Sequence, residues 1–318
     1  MKQNKSLSQD TKAQLMRWAT YASFSVALIL ISSKIWAWLL SDSVSLLATL
    51  VDSSLDLVAS LINLLAVRHA LSPADKEHRF GHGKAEALAG MAQAMFIAGS
   101  AVFLLLESSR RMLNPVAVEE VGVGMAVMVW SIILTSFLIV FQRYVYSQTG
   151  STAIKADSLH YQTDILVNGT VLLALWLAST GWSGFDPLFA ILIAIYILYS
   201  VWEIVTESYD HLMDKEMSNS DRQRITAVVN AHPDTKGIHD LRTRSSGTTI
   251  FIQFHLELAD DLTLINVHKI SDQIEKSLLA IFPSSEIIIH EDPISVAIRE
   301  QQPEFDELAP SSKNRKSP

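Results

Sequence analysis

The sequence predicts two unlike parts: an all-α membrane domain of six spanning helices, followed by a small two-layer α+β domain. Three observations carry this. Of 318 residues, 49% are hydrophobic and only 18% are charged, whereas a soluble chain carries about 25% charge. The apolar residues fall into six runs, roughly 18–40, 44–67, 85–108, 118–142, 153–179 and 185–206, and about 20 mainly apolar residues cross a bilayer as a helix. Beyond about residue 209 these runs stop, and short alternating and amphipathic segments replace them.

Residues 1–17 form a polar arm, followed by a long apolar run with no small-residue cleavage site, so no signal peptide is expected. The membrane domain occupies 18–208. Its first, fourth and sixth runs are nearly uniformly apolar, while the second and fifth are amphipathic. Lys and Arg in short loops set orientation. Lys2, Lys5, Lys12, Arg17, Arg68, Lys76, Arg79, Lys84, Arg143 and Lys155 lie on one side, against Arg110 and Arg111 on the other. An even number of spans with that bias puts both termini in the cytoplasm. The second domain, 209–300, opens with a helix from the cap cluster at Ser218 to His232. A hairpin, His239–Arg244 and Thr248–Leu258, turns at Ser245-Ser246-Gly247. A helix over Leu262–Phe282 and a strand over Glu286–His290 complete the order αββαβ. The tail, 301–318, is rich in Pro, Ser and charge and is expected to be disordered.

Composition excludes several functions. There is no cysteine, so disulfides, thiolate metal sites and cysteine nucleophiles are absent together. Net charge is −8 with no basic block, which argues against nucleic acid. No GxxxxGK[ST] phosphate loop is present, so ATP is not implied. No nucleophile–base constellation points to an enzyme.

The chemistry is concentrated in the amphipathic spans. The second holds Asp52 and Asp56 in VDSSLDLVAS, and the fifth holds His160 and Asp164 in ADSLHYQTDIL. Spacing of i, i+4 puts each pair on one helix face. Two opposed faces offer four ligands, enough for one tetrahedral cation site. Intramembrane acids are expensive and usually functional. The alternative is a structural one, with the acids paired to a cation such as Lys34, whose one charge faces three carboxylates. Asp157, one turn before His160, reads either as lining an entry path or as an anion favoured at the start of its helix; the second is preferred. One imidazole among carboxylates favours Zn²⁺, leaves Cd²⁺, Fe²⁺ and Co²⁺ open, and does not exclude Mn²⁺. In the loop, Asp75, His78 and His82 fall within eight residues. That is a solvated polar loop or a weaker three-ligand site.

The motifs DSSLD and HYQTD on the second and fifth of six spans resemble the cation diffusion facilitator family. The loop PADKEHRFGHGKAEAL and the segments HDLRTR and FIQFHLEL are similar to its bacterial ferrous-iron/zinc efflux subgroup. The resemblance covers about 15–300. It implies a homodimeric, multi-pass metal/proton antiporter of the inner membrane, exporting Zn²⁺, with a copper-chaperone-like (ferredoxin-like) cytoplasmic domain. It makes Asp52, Asp56, His160 and Asp164 the transport site, and Asp75, His78 and His82 a second, loop-borne zinc site. It further implies a binuclear cytoplasmic site from His239, His255, His268, His290 and Asp292, with zinc there structural or regulatory, and a charge pair of Lys84 with Asp214. Without it, histidines scattered over a domain surface, and interfacial charges, are ordinary. Alternation along 248–258 puts His255 and Glu257 on the face away from Ile252, Phe254 and Leu256. Glu291 is expected to point away from the site.

Ligand chemistry itself predicts exchange. Metal binds deprotonated carboxylate and neutral imidazole, so metal and protons compete for the same atoms. A passive channel is disfavoured because conduction needs weak, multi-site binding. A membrane-anchored metal sensor is the other class, separable because Asp52→Ala would leave its function intact.

Overall fold

The computed structural model describes residues 8–41, 44–113, 122–179 and 186–300. Its chain divides into two compact units, Met1–Met213 with Ser246–Thr248, and Asp214–Ser245 with Thr249–Pro318. In the first, six long helices follow one another: α1 (Gln9–Ser41), α2 (Val44–Ala70), α3 (Lys84–Leu113), α4 (Gly122–Thr149), α5 (Thr152–Ser179) and α6 (Asp186–Leu212). α1 begins inside the polar arm, and α6 runs past the apolar stretch to Leu212.

Among the described residues, four stretches are long and apolar enough to cross a membrane by length and composition, Gln9–Leu39, Lys84–Arg110, Met125–Thr149 and Leu188–Leu212. α2 and α5, of 27 and 28 residues, reach about 40 Å at 1.5 Å per residue. They carry the acids, the histidine and the polar residues that matter below. Small residues let the helices approach closely. Ala94, Ala101 and Ala156 pack with Ile97, Leu159, Ile197, Val201 and Ile204 where α3, α5 and α6 meet. Met16, Ala19, Val67, Ala89, Val145, Ala153 and Ile154 form a second core. Large apolar side chains face outward instead, Phe103 at 69%, Phe137 at 73% and Trp202 at 71% exposure, the surface expected of helices against lipid rather than water.

α5 is launched by a two-residue connection. Gly150 takes φ +71°, a left-handed conformation that glycine adopts without a Cβ penalty, and its N–H donates to the Tyr146 carbonyl, ending α4. Ser151 then caps α5, its Oγ accepting from the Ile154 N–H at 3.2 Å.

The second unit contains α7 (Asn219–Asn230), β1 (Gly237–Ser246), β2 (Thr249–Leu258), α8 (Leu264–Ile281), β3 (Ser285–Pro293) and α9 (Ile294–Glu300). Ser218 caps α7, accepting from the Asp221 N–H. The sheet order is β1-β2-β3, with β2 and β3 parallel, as the α8 crossover requires. Ile252, Phe254, Leu256 and Leu258 on β2 meet Ile270, Ile274 and Leu278 on α8 and Ile225 and Val229 on α7 in one core. The αββαβ order and the alternating β2 faces are as the sequence predicts; α9 is an addition. The tail 301–318 lies outside the described residues.

Candidate metal centres

Each of three ligand clusters is built by local geometry. In the membrane unit, Asp56 on α2 faces His160 and Asp164 on α5. His160 Nε2 lies 3.0 Å from Asp56 Oδ1 and 3.9 Å from Asp164 Oδ2. One ligand atom from each falls within 4.8 Å of the others. Asp52 sits on the same helix as Asp56, but its side chain lies outside the described residues. Among the described residues, Nε2 of His160 has no aligned hydrogen-bond partner despite its approach to Asp56. A nitrogen close to two carboxylates yet aligned with neither suits a cation placed between them. Lys34, considered as a partner for the acids, donates to Ser53 Oγ at 2.5 Å.

The residue after His160 fixes this arrangement. The Tyr161 hydroxyl donates to the Ser23 carbonyl at 3.2 Å and lies 2.9 Å from Ser60 Oγ. It thereby ties α5 to α1, and to α2 one turn beyond Asp56. Asp157 does not sit where a helix-start anion is expected. It is fully buried, and its carboxylate accepts from Gln93 Nε2 at 2.9 Å and Gln142 Nε2 at 2.6 Å. It therefore joins α3, α4 and α5 directly behind the cluster. Asp157→Ala would strand two buried amide donors, each costing about 1–3 kcal/mol. We expect a lowered thermal unfolding midpoint in detergent; an unchanged midpoint would mean the amides find other partners.

The loop between α2 and α3 makes the second cluster. Asp75 Oδ1 accepts from the backbone N–H groups of His78 at 2.6 Å and Glu77 at 2.9 Å. These bonds, that of His78 foremost, hold its carboxyl below the ordinary carboxylate range. His78 Nδ1 and His82 Nε2 each lie 3.3 Å from an Asp75 oxygen. Gly81, at φ +77°, turns the chain between the two histidines.

In the second unit the parallel register builds the third cluster. His255 pairs with His290 and Glu257 with Asp292, so the sheet face away from the core carries all four. Asp292, only 5% exposed, is the hub. Its Oδ2 lies 2.7 Å from His255 Nδ1 and 3.6 Å from His239 Nε2, and its Oδ1 lies 3.3 Å from His290 Nε2. Glu257, which the sequence reading placed on this face without nominating it, lies 2.9 Å from His239 Nδ1. A carboxylate on one ring nitrogen orients the other toward a metal. Gly237 leaves room for it, since a Cβ there would collide with the Glu257 carboxylate. Glu291 faces the other way, accepting from Ser271 Oγ at 2.9 Å. His268 is not brought to the cluster within this chain; its side chain is 74% exposed and its nearest acid is Asp272 at 3.9 Å.

Of the expected charge pair, Lys84 donates to the Leu212 carbonyl at 3.3 Å. Asp214, at φ +54°, lies 3.4 Å from Arg244 Nη1.

Two family models match the chain, the cation efflux transmembrane domain over residues 20–213 and the cation efflux protein cytoplasmic domain over 217–294. The chain belongs to the cation diffusion facilitator family of cation efflux proteins. Proteins named cation-efflux pump FieF from Salmonella arizonae and Salmonella typhimurium are each 49% identical over 291 residues, covering 92% of this chain and 97% of theirs. A structure of CzrB in its zinc form is 28% identical, covering 26% of this chain and 94% of that one at a TM-score of 0.25. This cation efflux protein is thus a helical membrane transporter with a family-specific cytoplasmic domain, as the resemblance implied.

Proposed function

We propose that this cation efflux protein exports Zn²⁺ from the cytoplasm in exchange for protons, by alternating access, as a homodimer in a bacterial inner membrane with both termini cytoplasmic. Fe²⁺ and Cd²⁺ are secondary substrates in this reading. The observation that carries it is the convergence of Asp56, His160 and Asp164 from two helices onto one point. Asp52 completes the set by its i, i+4 spacing. Three carboxylates and one imidazole make a complete tetrahedral set for Zn²⁺, with no position left for a reacting water. The same atoms bind protons when the metal leaves, and close carboxylates raise each other's proton affinity. A site open to the cytoplasm gives up protons for metal, and one open to a more acidic side does the reverse. The loop cluster offers three protein ligands and a weaker site. The cytoplasmic cluster is a centre for structural or regulatory zinc that strengthens the dimer.

The test is metal flux in reconstituted vesicles across an imposed pH gradient, with Zn²⁺ and Mn²⁺ competing, for the native chain and His160→Asp. Downhill proton flux should drive uphill Zn²⁺ movement. The substitution should shift the Zn²⁺/Mn²⁺ preference toward Mn²⁺ on the order of tenfold, about 1.4 kcal/mol. Zn²⁺ movement indifferent to the pH gradient would remove the exchanger, and an unshifted preference would remove His160 as the selectivity residue.

A further inference from the structure

The loop cluster has three ligands where zinc prefers four, and a third imidazole stands beside it. His69, in the last turn of α2, has its ring centroid 4.5 Å from that of His82, tilted by 55°. The His78 ring lies no nearer, at 4.7 Å and 48°. The histidines around Asp292 are spaced alike, at 4.9 Å for His239 with His255 and 4.6 Å for His255 with His290. His69 is exposed and can turn about its side-chain bonds without disturbing a core.

Hydrogen bonding fixes which nitrogen of His82 is available. Ser72 Oγ gives its one proton to the His69 carbonyl at 2.5 Å. Its 3.0 Å contact with His82 Nδ1 is then a bond in which Nδ1–H donates to Oγ. In the neutral ring that leaves a lone pair on Nε2, the atom already aimed at Asp75 Oδ2 at 3.3 Å. Ser72 thus orients one ligand of the cluster while binding the backbone of His69, and holds the two imidazoles in one local structure. The other explanation of a histidine here is a cation at the negative end of a helix. That explains His69 alone and not its seat against a ring whose tautomer is set for metal.

We propose that His69 is the fourth protein ligand of the loop centre, which then binds Zn²⁺ or a similar borderline divalent cation through three imidazoles and one carboxylate. This rests on the reading of Asp75, His78 and His82 as a metal site. The chain contains no cysteine, so His69→Cys introduces a single thiol into the full-length protein. With Co²⁺ as the probe, this variant should show a thiolate-to-cobalt charge-transfer band in the near ultraviolet, absent from the native chain and abolished by adding His82→Ala. His69→Phe keeps a ring against His82 but no ligand atom. Competition with a chromophoric chelator should show its loop-site Zn²⁺ affinity down by about tenfold or more, the least that loss of even an outer-shell partner costs. No charge-transfer band, with native affinity in His69→Phe, overturns the fourth ligand. If His82→Ala still lowers the number of bound ions, the loop centre survives that result with three protein ligands. If His82→Ala removes no bound ion, the loop centre itself falls, and His69 with it.

Discussion

Asp56→Ala is expected to reduce pH-gradient-driven Zn²⁺ transport in reconstituted vesicles to the level of protein-free vesicles. Asp56 is the α2 carboxylate that stands 3.0 Å from His160 Nε2, so it closes the site between two helices. Without it, the clustered ligands all come from α5, with only the neighbouring Asp52 left to bridge. Loss of an outer-shell partner alone costs roughly 10–100-fold in metal affinity, and loss of a ligand costs at least that much. The exchange is damaged twice over, because the same carboxylate is one of the atoms that must take up protons when metal leaves. The fold should persist, since Asp56 is not among the buried polar groups that join the helices, a part played by Tyr161 and Asp157. An unchanged thermal unfolding midpoint in detergent checks that. Native flux in Asp56→Ala would remove this cluster as the transport site, whatever else the protein does.

What the sequence made legible is what depends on spacing along one element. The i, i+4 pairs on α2 and α5, and the alternation that separates His255 from Phe254, follow from helix and strand periods alone. His268 could have been read the same way. The core face of α8 is Ile270, Ile274 and Leu278, and His268, two residues before Ile270, belongs on the outward side. Its place in a site shared between two cytoplasmic domains rests on the family resemblance. Hidden features depend on alignment between distant segments. Nothing local states that Glu257 lies beside Asp292, because that register is set by how α8 packs before β3 begins. Asp157 misled for a similar reason. At the fifth residue of the run 153–179, a helix-start anion is a fair expectation, but its burial is decided by Gln93 and Gln142, 64 and 15 residues away. An i−3 acid next to a ligand histidine, with glutamines in two other spans, was the available signal.

Asp292→Ala carries the second large effect, and its size depends on zinc. Three imidazoles approach this one buried carboxylate, so its removal should empty the cytoplasmic centre. A ligand that binds only the folded state stabilises it by RT ln(1 + [L]/Kd), about 2.7 kcal/mol at a hundredfold excess over Kd. The native chain should therefore show a zinc-dependent rise in its unfolding midpoint and a stronger dimer in sedimentation, and the variant should show neither. Without zinc the comparison changes. Removing the carboxylate also strands the imidazole that it holds at 2.7 Å, a loss of about 1–3 kcal/mol, so the metal-free variant should fall below the metal-free native chain by that much only, and the further gap seen with zinc is the share of the metal. A purely structural Asp292, holding three histidines by hydrogen bonds alone, predicts the same loss of stability with and without zinc. Measuring both chains in both states thus separates a metal hub from a polar one. Transport at saturating Zn²⁺ should survive the substitution, because Asp56, His160 and Asp164 are untouched, while the dependence of flux on cytoplasmic zinc should flatten. Equal loss in both metal states, with zinc-dependent flux unchanged, would reassign the cluster from regulation to architecture.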